Sequence, residues 1–138
     1  KSDGGEILAG GKYDNSEGGH FVHPTVFAKT NADMSIVKEE IFGPVLCAQP
    51  FSDQDLDKIA EAANNTNYGL AASVWSKDIS TAHKLAGKIR AGTVWINCHN
   101  IFDASLPFGG YKESGWGREM GHEVLHAYTE LKAVTVNL

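Results

Sequence analysis

Residues 45–98 carry the pattern that most restricts the fold: three apolar runs separated by two segments of helical period. The first run, 45–51, reads as a strand. Over 53–64, Leu56, Ile59, Ala60 and Ala63 fall at offsets of 0, 3, 4 and 7, which gather on one face of a helix. Ser52 is the expected N-cap, and Asp53, Asp55 and Asp57 suit the positive end of the helix dipole. A second strand spans 70–75. Asp78 then caps a helix with apolar residues Ile79, Ala82, Leu85, Ala86 and Ile89. Gly92 marks its end, and 93–98 is a third strand, rich in β-branched and aromatic residues. Strands joined through helices by links this short need right-handed crossovers. The expected architecture is therefore α/β, a parallel sheet flanked by helices.

The flanks are less regular. Apolar stretches at 6–9 and 21–29, with Gly10-Gly11 and Gly18-Gly19 as turns, suggest a hairpin-like opening segment. Pro24 demotes the second stretch to an edge or interrupted strand. A helical turn at 35–40 stops at Gly43-Pro44. After Cys98 comes a loop of about 20 residues containing Pro107, Gly109, Gly110, Gly115 and Gly117, a length that usually signals function. A helix over 118–127 and a strand over 132–138 close the sequence.

Composition narrows the function. With 138 residues, 42% hydrophobic and 21% charged, the chain suits one globular domain. A net charge of −5 without a Lys/Arg cluster argues against nucleic acid and anionic membrane surfaces as partners. No apolar run approaches the roughly 20 residues of a membrane span. Two cysteines, Cys47 and Cys98, are too few for a disulfide scaffold and suit a reducing cytoplasm. The start on Lys1 rather than Met is what a processed or excised piece would show.

Several short motifs compete. His122-Glu123-Val124-Leu125-His126 fits the H-E-x-x-H zinc pattern, but only twelve residues follow, too few to bring a third ligand from a separate element. No metal is expected. Gly115-Trp116-Gly117-Arg118-Glu119-Met120-Gly121 approximates a dinucleotide fingerprint, yet a loop and not a strand precedes it, so its glycines read as turn formers. Asn64-Asn65-Thr66 matches a glycosylation sequon without a secretory route. Cys98 and His99 are adjacent on a strand, point to opposite faces and make a poor nucleophile–base pair. Cys47, inside an apolar strand, reads as a small buried hydrophobe. Glu39-Glu40-Ile41-Phe42-Gly43-Pro44 admits two readings. Both carboxylates are solvated and Phe42 is a staple, or a carboxylate and an aromatic face together hold a sugar diol and a flat ring.

Taken in order, the segments Glu39–Pro44, Asn67-Tyr68-Gly69-Leu70-Ala71-Ala72 and Gly92-Thr93-Val94-Trp95-Ile96-Asn97 resemble the C-terminal part of an NAD(P)-dependent aldehyde dehydrogenase. Pro107-Phe108-Gly109-Gly110-Tyr111-Lys112, Ser114-Gly115, Gly117-Arg118-Glu119 and Tyr128-Thr129-Glu130-Leu131-Lys132 continue the resemblance. It implies that Glu40 accepts the hydroxyls of the nicotinamide ribose and that Phe42 packs near the nicotinamide. It also implies that Asn100, Ile101, Phe102 and Phe108 contribute to one wall of an aldehyde tunnel. The cofactor implied is NAD in preference to NADP, and the substrate a small aldehyde, apolar or aromatic in the manner of phenylacetaldehyde.

The same resemblance implies oxidation of that aldehyde to its carboxylate through a cysteine thioester. By family order the nucleophile and general base fall outside these residues, so no catalytic residue is assigned here and the chain alone is expected to be inactive. Residues 1–127 would belong to the catalytic domain. Residues 128–138 would form an oligomerisation strand, whose alternating Val134, Val136 and Leu138 offer one apolar face to a homo-oligomer, dimer or tetramer. The alternative is a catalytically inactive assembly or interaction module.

Overall fold

A computed structural model describes residues 4–16, 18–51 and 55–138. The chain divides into two compact units, Lys1–Asn65 and Thr66–Leu138. In the first, β1 (Glu6–Ala9), β4 (Thr25–Ala28) and β5 (Val45–Cys47) form a sheet in the order β1-β4-β5. Antiparallel β1–β4 pairing sets Glu6 opposite Ala28, and parallel β4–β5 pairing sets Thr25 opposite Val45. A small hairpin of β2 (Tyr13–Asp14) and β3 (Phe21–Val22) stands apart from that sheet. Pro24 interrupts the 21–29 stretch between β3 and β4, as its missing N–H requires. The expectation of an edge strand fails, because β4 is the central strand. Thr25, its first residue, is 5% exposed yet satisfied, since its hydroxyl donates to the His23 carbonyl and accepts from the Gly11 N–H.

Two helices complete this unit. α1 (Ser35–Lys38) is a single turn, and α2 (Leu56–Asn64) presents the expected apolar face, with Ala60 buried. The helix begins at Leu56 and Asp55 caps it, accepting the Asp57 N–H at 2.9 Å. The expected cap Ser52, and Asp53, lie outside the described residues.

In the second unit, β7 (Ala71–Val74), α3 (Ile79–Lys88) and β8 (Thr93–Ile96) make the anticipated strand–helix–parallel-strand unit, with Ala71 opposite Thr93 and Val74 opposite Ile96. Asp78 caps α3 and accepts the Ser80 N–H at 3.0 Å. Ala82, fully buried, together with Val74 and Trp95 forms the core of this unit. Among the described residues, no ladder joins β5 to β7, so the three strands expected in one parallel sheet fall into two sheets. Local period fixed each strand, whereas the hydrogen-bonding partner of β5 came from the opening segment.

The remaining differences have local causes. β5 stops at Cys47, short of the 45–51 run, ahead of Pro50. The loop after Cys98 contains β9 (Tyr111–Lys112), antiparallel to β6 (Tyr68–Gly69). Phe108 and Glu119 exchange both backbone hydrogen bonds, at 2.8 and 2.7 Å. Gly92 permits the close approach of this loop, because a Cβ there would lie 1.6 Å from the Gly109 carbonyl oxygen. The expected 118–127 helix is only α4 (Val124–Tyr128), since Met120 and Gly121 are left-handed at φ 57° and 60°. Residues 132–138 pair with no strand among the described residues, and Leu131, Val134, Val136 and Leu138 stand exposed. No described helix is long and apolar enough to cross a membrane.

Candidate functional site

Two concavities carry the candidate residues, one in each unit. In the first unit, α1 ends when Glu39 turns extended while its N–H still donates to the Ser35 carbonyl at 2.8 Å. The chain then passes through Glu40 and Ile41 to Phe42, which takes φ 50° before Gly43-Pro44 leads into β5. A bulky aromatic in the left-handed region is a steric outlier, with a cost on the order of 1–2 kcal/mol. Phe42 is 92% exposed. Glu39, Glu40, Ile41 and Phe42 line an open concavity of about 520 Å³ with Ile36 and Val45. Cys47 borders the same hollow, and its thiol donates to the Ile36 carbonyl at 3.4 Å, tying β5 to α1. Partial burial pushes that thiol above its ordinary value. It is thus a packed group rather than a reactive thiolate.

The second unit holds a smaller, largely apolar pocket of about 270 Å³. Ile101, Phe102 and Phe108, three of the four candidate wall residues, line it together. Asn100 does not; it is exposed and left-handed at φ 57°. Trp95, Leu106 and Met120 complete much of the lining. Neither Trp95 nor Met120 was among the sequence-derived candidates. For Trp95 the signal available was strand alternation, which sets residues 93 and 95 on one face of β8.

The walls of this pocket are rings in edge contact. Trp95 meets Phe102 at 5.6 Å and 88°, and Phe102 meets Phe108 at 5.1 Å and 84°. Cys98 borders the pocket without a base beside it, because His99 turns away to bond Ser73 Oγ through Nδ1 at 2.7 Å. Asp103 accepts both the N–H and the hydroxyl of Ser105 at 2.8 Å, which holds its carboxyl below the usual range.

The competing motifs resolve differently. His122 and Glu123 lie in the turn before α4, so they are not on the same helix as His126 in the way H-E-x-x-H chemistry requires. No group of three or more His, Cys, Asp or Glu among the described residues is arranged to hold a metal ion. Gly115, Gly117 and Gly121 all have positive φ, which is the turn-forming role expected of them. The Arg118 guanidinium donates to the Gly110 carbonyl at 2.9 Å and lies 5.3 Å from the centre of the Tyr111 ring.

Comparison with known proteins places these features in a family. Residues 1–134 match the aldehyde dehydrogenase family. The chain is 50% identical to an aldehyde dehydrogenase of Agaricus bisporus over its whole length, covering 27% of that protein. It superposes on the NAD+ complex of an aldehyde dehydrogenase from Bacillus cereus with a TM-score of 0.91 and 51% identity, covering 99% of this chain and 27% of that one. An indole-3-acetaldehyde dehydrogenase of P. syringae, solved with NAD+ and IAA, matches with a TM-score of 0.91 and 44% identity, covering 99% of this chain and 28% of that one. The chain therefore spans about a quarter of the length of the relatives it matches.

Proposed function

The chain belongs to the aldehyde dehydrogenase family, and from that premise we propose that it acts as the C-terminal part of an NAD-dependent enzyme oxidising an aldehyde to its carboxylate. Residues 1–127 would form part of the catalytic domain. The observation that carries this reading is the exposed ring of Phe42 on a strained backbone beside Glu40. Strain of this kind persists where surrounding structure and function require it. The residues suit a nicotinamide riboside: the Glu40 carboxylate offers two acceptor oxygens for a ribose diol, and Phe42 offers a face for a flat ring. Bound there, NAD would supply a hydride acceptor. Glu40 and Phe42 would orient it, and in the second unit Ile101, Phe102 and Phe108 would bury the apolar tail of the aldehyde, with Asn100, exposed in the loop after β8, as a further contact outside the pocket lining. Burial contributes roughly 25 cal/mol per Å² of apolar surface, which favours an apolar or aromatic aldehyde. The P. syringae relative, named for an indole aldehyde, is in keeping with that preference.

Residues 128–138 would add as a strand to a second copy in a homo-oligomer, because Val134, Val136 and Leu138 are exposed at alternate positions. Two free cysteines suit a cytoplasmic setting.

The test is a chimera in which these 138 residues replace the matching segment of the Bacillus cereus enzyme. It should form NADH with an aldehyde, whereas the 138-residue chain alone should not. Charge-assisted bonds contribute about 1.5–3 kcal/mol, so Glu40→Gln should slow single-turnover hydride transfer on the order of 10- to 100-fold. Unchanged single-turnover kinetics would refute the ribose role, and NADH formation by the chain alone would refute its dependence on the rest of the enzyme.

A further inference from the structure

We propose that Trp95 is a positioning residue that selects which aldehydes enter the apolar pocket, an inference that rests on the aldehyde-oxidising reading above. Trp95 sits in β8 and is 9% exposed, so its ring is fixed by the core rather than by the loop it meets. Its indole N–H donates to the Ile101 carbonyl at 2.7 Å. Its edge contact with Phe102 adds a second link, and a third ring contact, with His99, lies at 5.3 Å and 71°. One core side chain thus fixes both the backbone of Ile101 and the ring of Phe102, and both of these line the pocket.

The other end of the wall is fixed separately. Phe108 is held by the paired backbone bonds to Glu119, and Leu106 N–H closes a turn onto the Asp103 carbonyl at 3.0 Å. Phe102 bridges the two ends, leaning on Trp95 on one side and Phe108 on the other. Loss of the indole N–H leaves the Ile101 carbonyl without that donor and lets the segment from Ile101 to Phe102 shift, while Phe108 stays in place. The width of the slot between Phe102 and Phe108 then changes. A bulky or flat apolar tail reads that width. A two-carbon aldehyde does not.

This predicts a signature that general destabilisation cannot produce. Trp95→Phe in the chimera keeps an aromatic ring and removes the donor. Replacement of Trp95 by 3-benzothienylalanine removes only the N–H, with the shape of the indole retained, and decides the matter should the phenylalanine variant not fold. Loss of one neutral hydrogen bond and of wall geometry should lower kcat/KM for phenylacetaldehyde about five- to tenfold, mostly through KM. With acetaldehyde the change should be less than about twofold, and the KM for NAD should not move. An equal loss for both aldehydes, or no change for either, would overturn the inference while leaving the proposed function intact. A folded, NAD-binding parent chimera that turns over no aldehyde would instead overturn the proposed function, and the inference would fall with it.

Discussion

Asn97 follows directly on β8 in the left-handed region, at φ 55°, and its side chain makes two bonds to a single residue of the neighbouring loop. Oδ1 accepts the Ser76 N–H and Nδ2 donates to the Ser76 carbonyl, both at 2.9 Å. Both bonds are solvent-exposed, so each belongs at the low end of the usual range, and together they contribute about 1–1.5 kcal/mol. Asn97→Gly loses the two bonds but keeps a residue at ease with positive φ, and should cost about that much. Asn97→Ala loses the same bonds and also puts in the left-handed region a residue without the short polar side chain that lets Asn tolerate it, adding about 1 kcal/mol. Alanine should therefore be the worse substitution, the reverse of the order expected in regular secondary structure. Urea denaturation followed by tryptophan fluorescence suits the measurement. All three tryptophans, Trp75, Trp95 and Trp116, lie in the unit that carries the substitution. If glycine proves as costly as alanine, the backbone conformation carries no strain and this account of the strand end is wrong.

Two further outcomes follow from single groups. Thr93 Oγ1 is buried with no partner among the described residues, so the isosteric Thr93→Val should stabilise the second unit by about 1 kcal/mol in the same urea assay; a loss of stability would show that the hydroxyl is bonded after all. The Thr81 hydroxyl and the Ser80 N–H hold the Asp78 carboxyl below its ordinary value. A depressed folded-state value means the cap stabilises α3 above the ordinary carboxylate range and is lost as pH falls through the lowered value. Asp78→Asn should flatten the acid limb of a fluorescence-monitored stability profile, and superimposable acid limbs would refute the role.

What could be read from the residues was what neighbours in sequence decide. Asp78, the spacing of Ile79, Ala82, Leu85 and Ala86, and the β-branched run after Gly92 specify β7–α3–β8 through local period and capping alone. Partner choice is non-local, and there the reading failed. By residue type Pro24 points to an edge or interrupted strand; it does interrupt the stretch, lying between two strands, but it leaves every N–H of β4 available for the centre of a sheet. The 118–127 helix was shortened by Met120, a residue whose type gives no hint of positive φ. In the pocket, Phe102 and Phe108 were identified by family resemblance, and the structure brings them together. Strand alternation could have placed Trp95 on the pocket face, but its bond to a backbone carbonyl six residues away leaves no trace in any side-chain pattern.

The loop between β8 and α4 has a bearing on how such a chain can change over generations. Surface loops ordinarily absorb insertions and deletions, since few contacts depend on their length. Here the β6–β9 pairing, the Phe108–Glu119 exchange and the Arg118 bond to Gly110 fix the loop at several points. One residue added between Phe108 and Tyr111 would set the Phe108–Glu119 exchange against the β6–β9 ladder, since both ends of that short stretch are paired. Variation between 108 and 111 is thus channelled into exchanges of side chain at constant length, so at that end of the pocket a change of bore must come through Phe108 itself rather than through a longer loop.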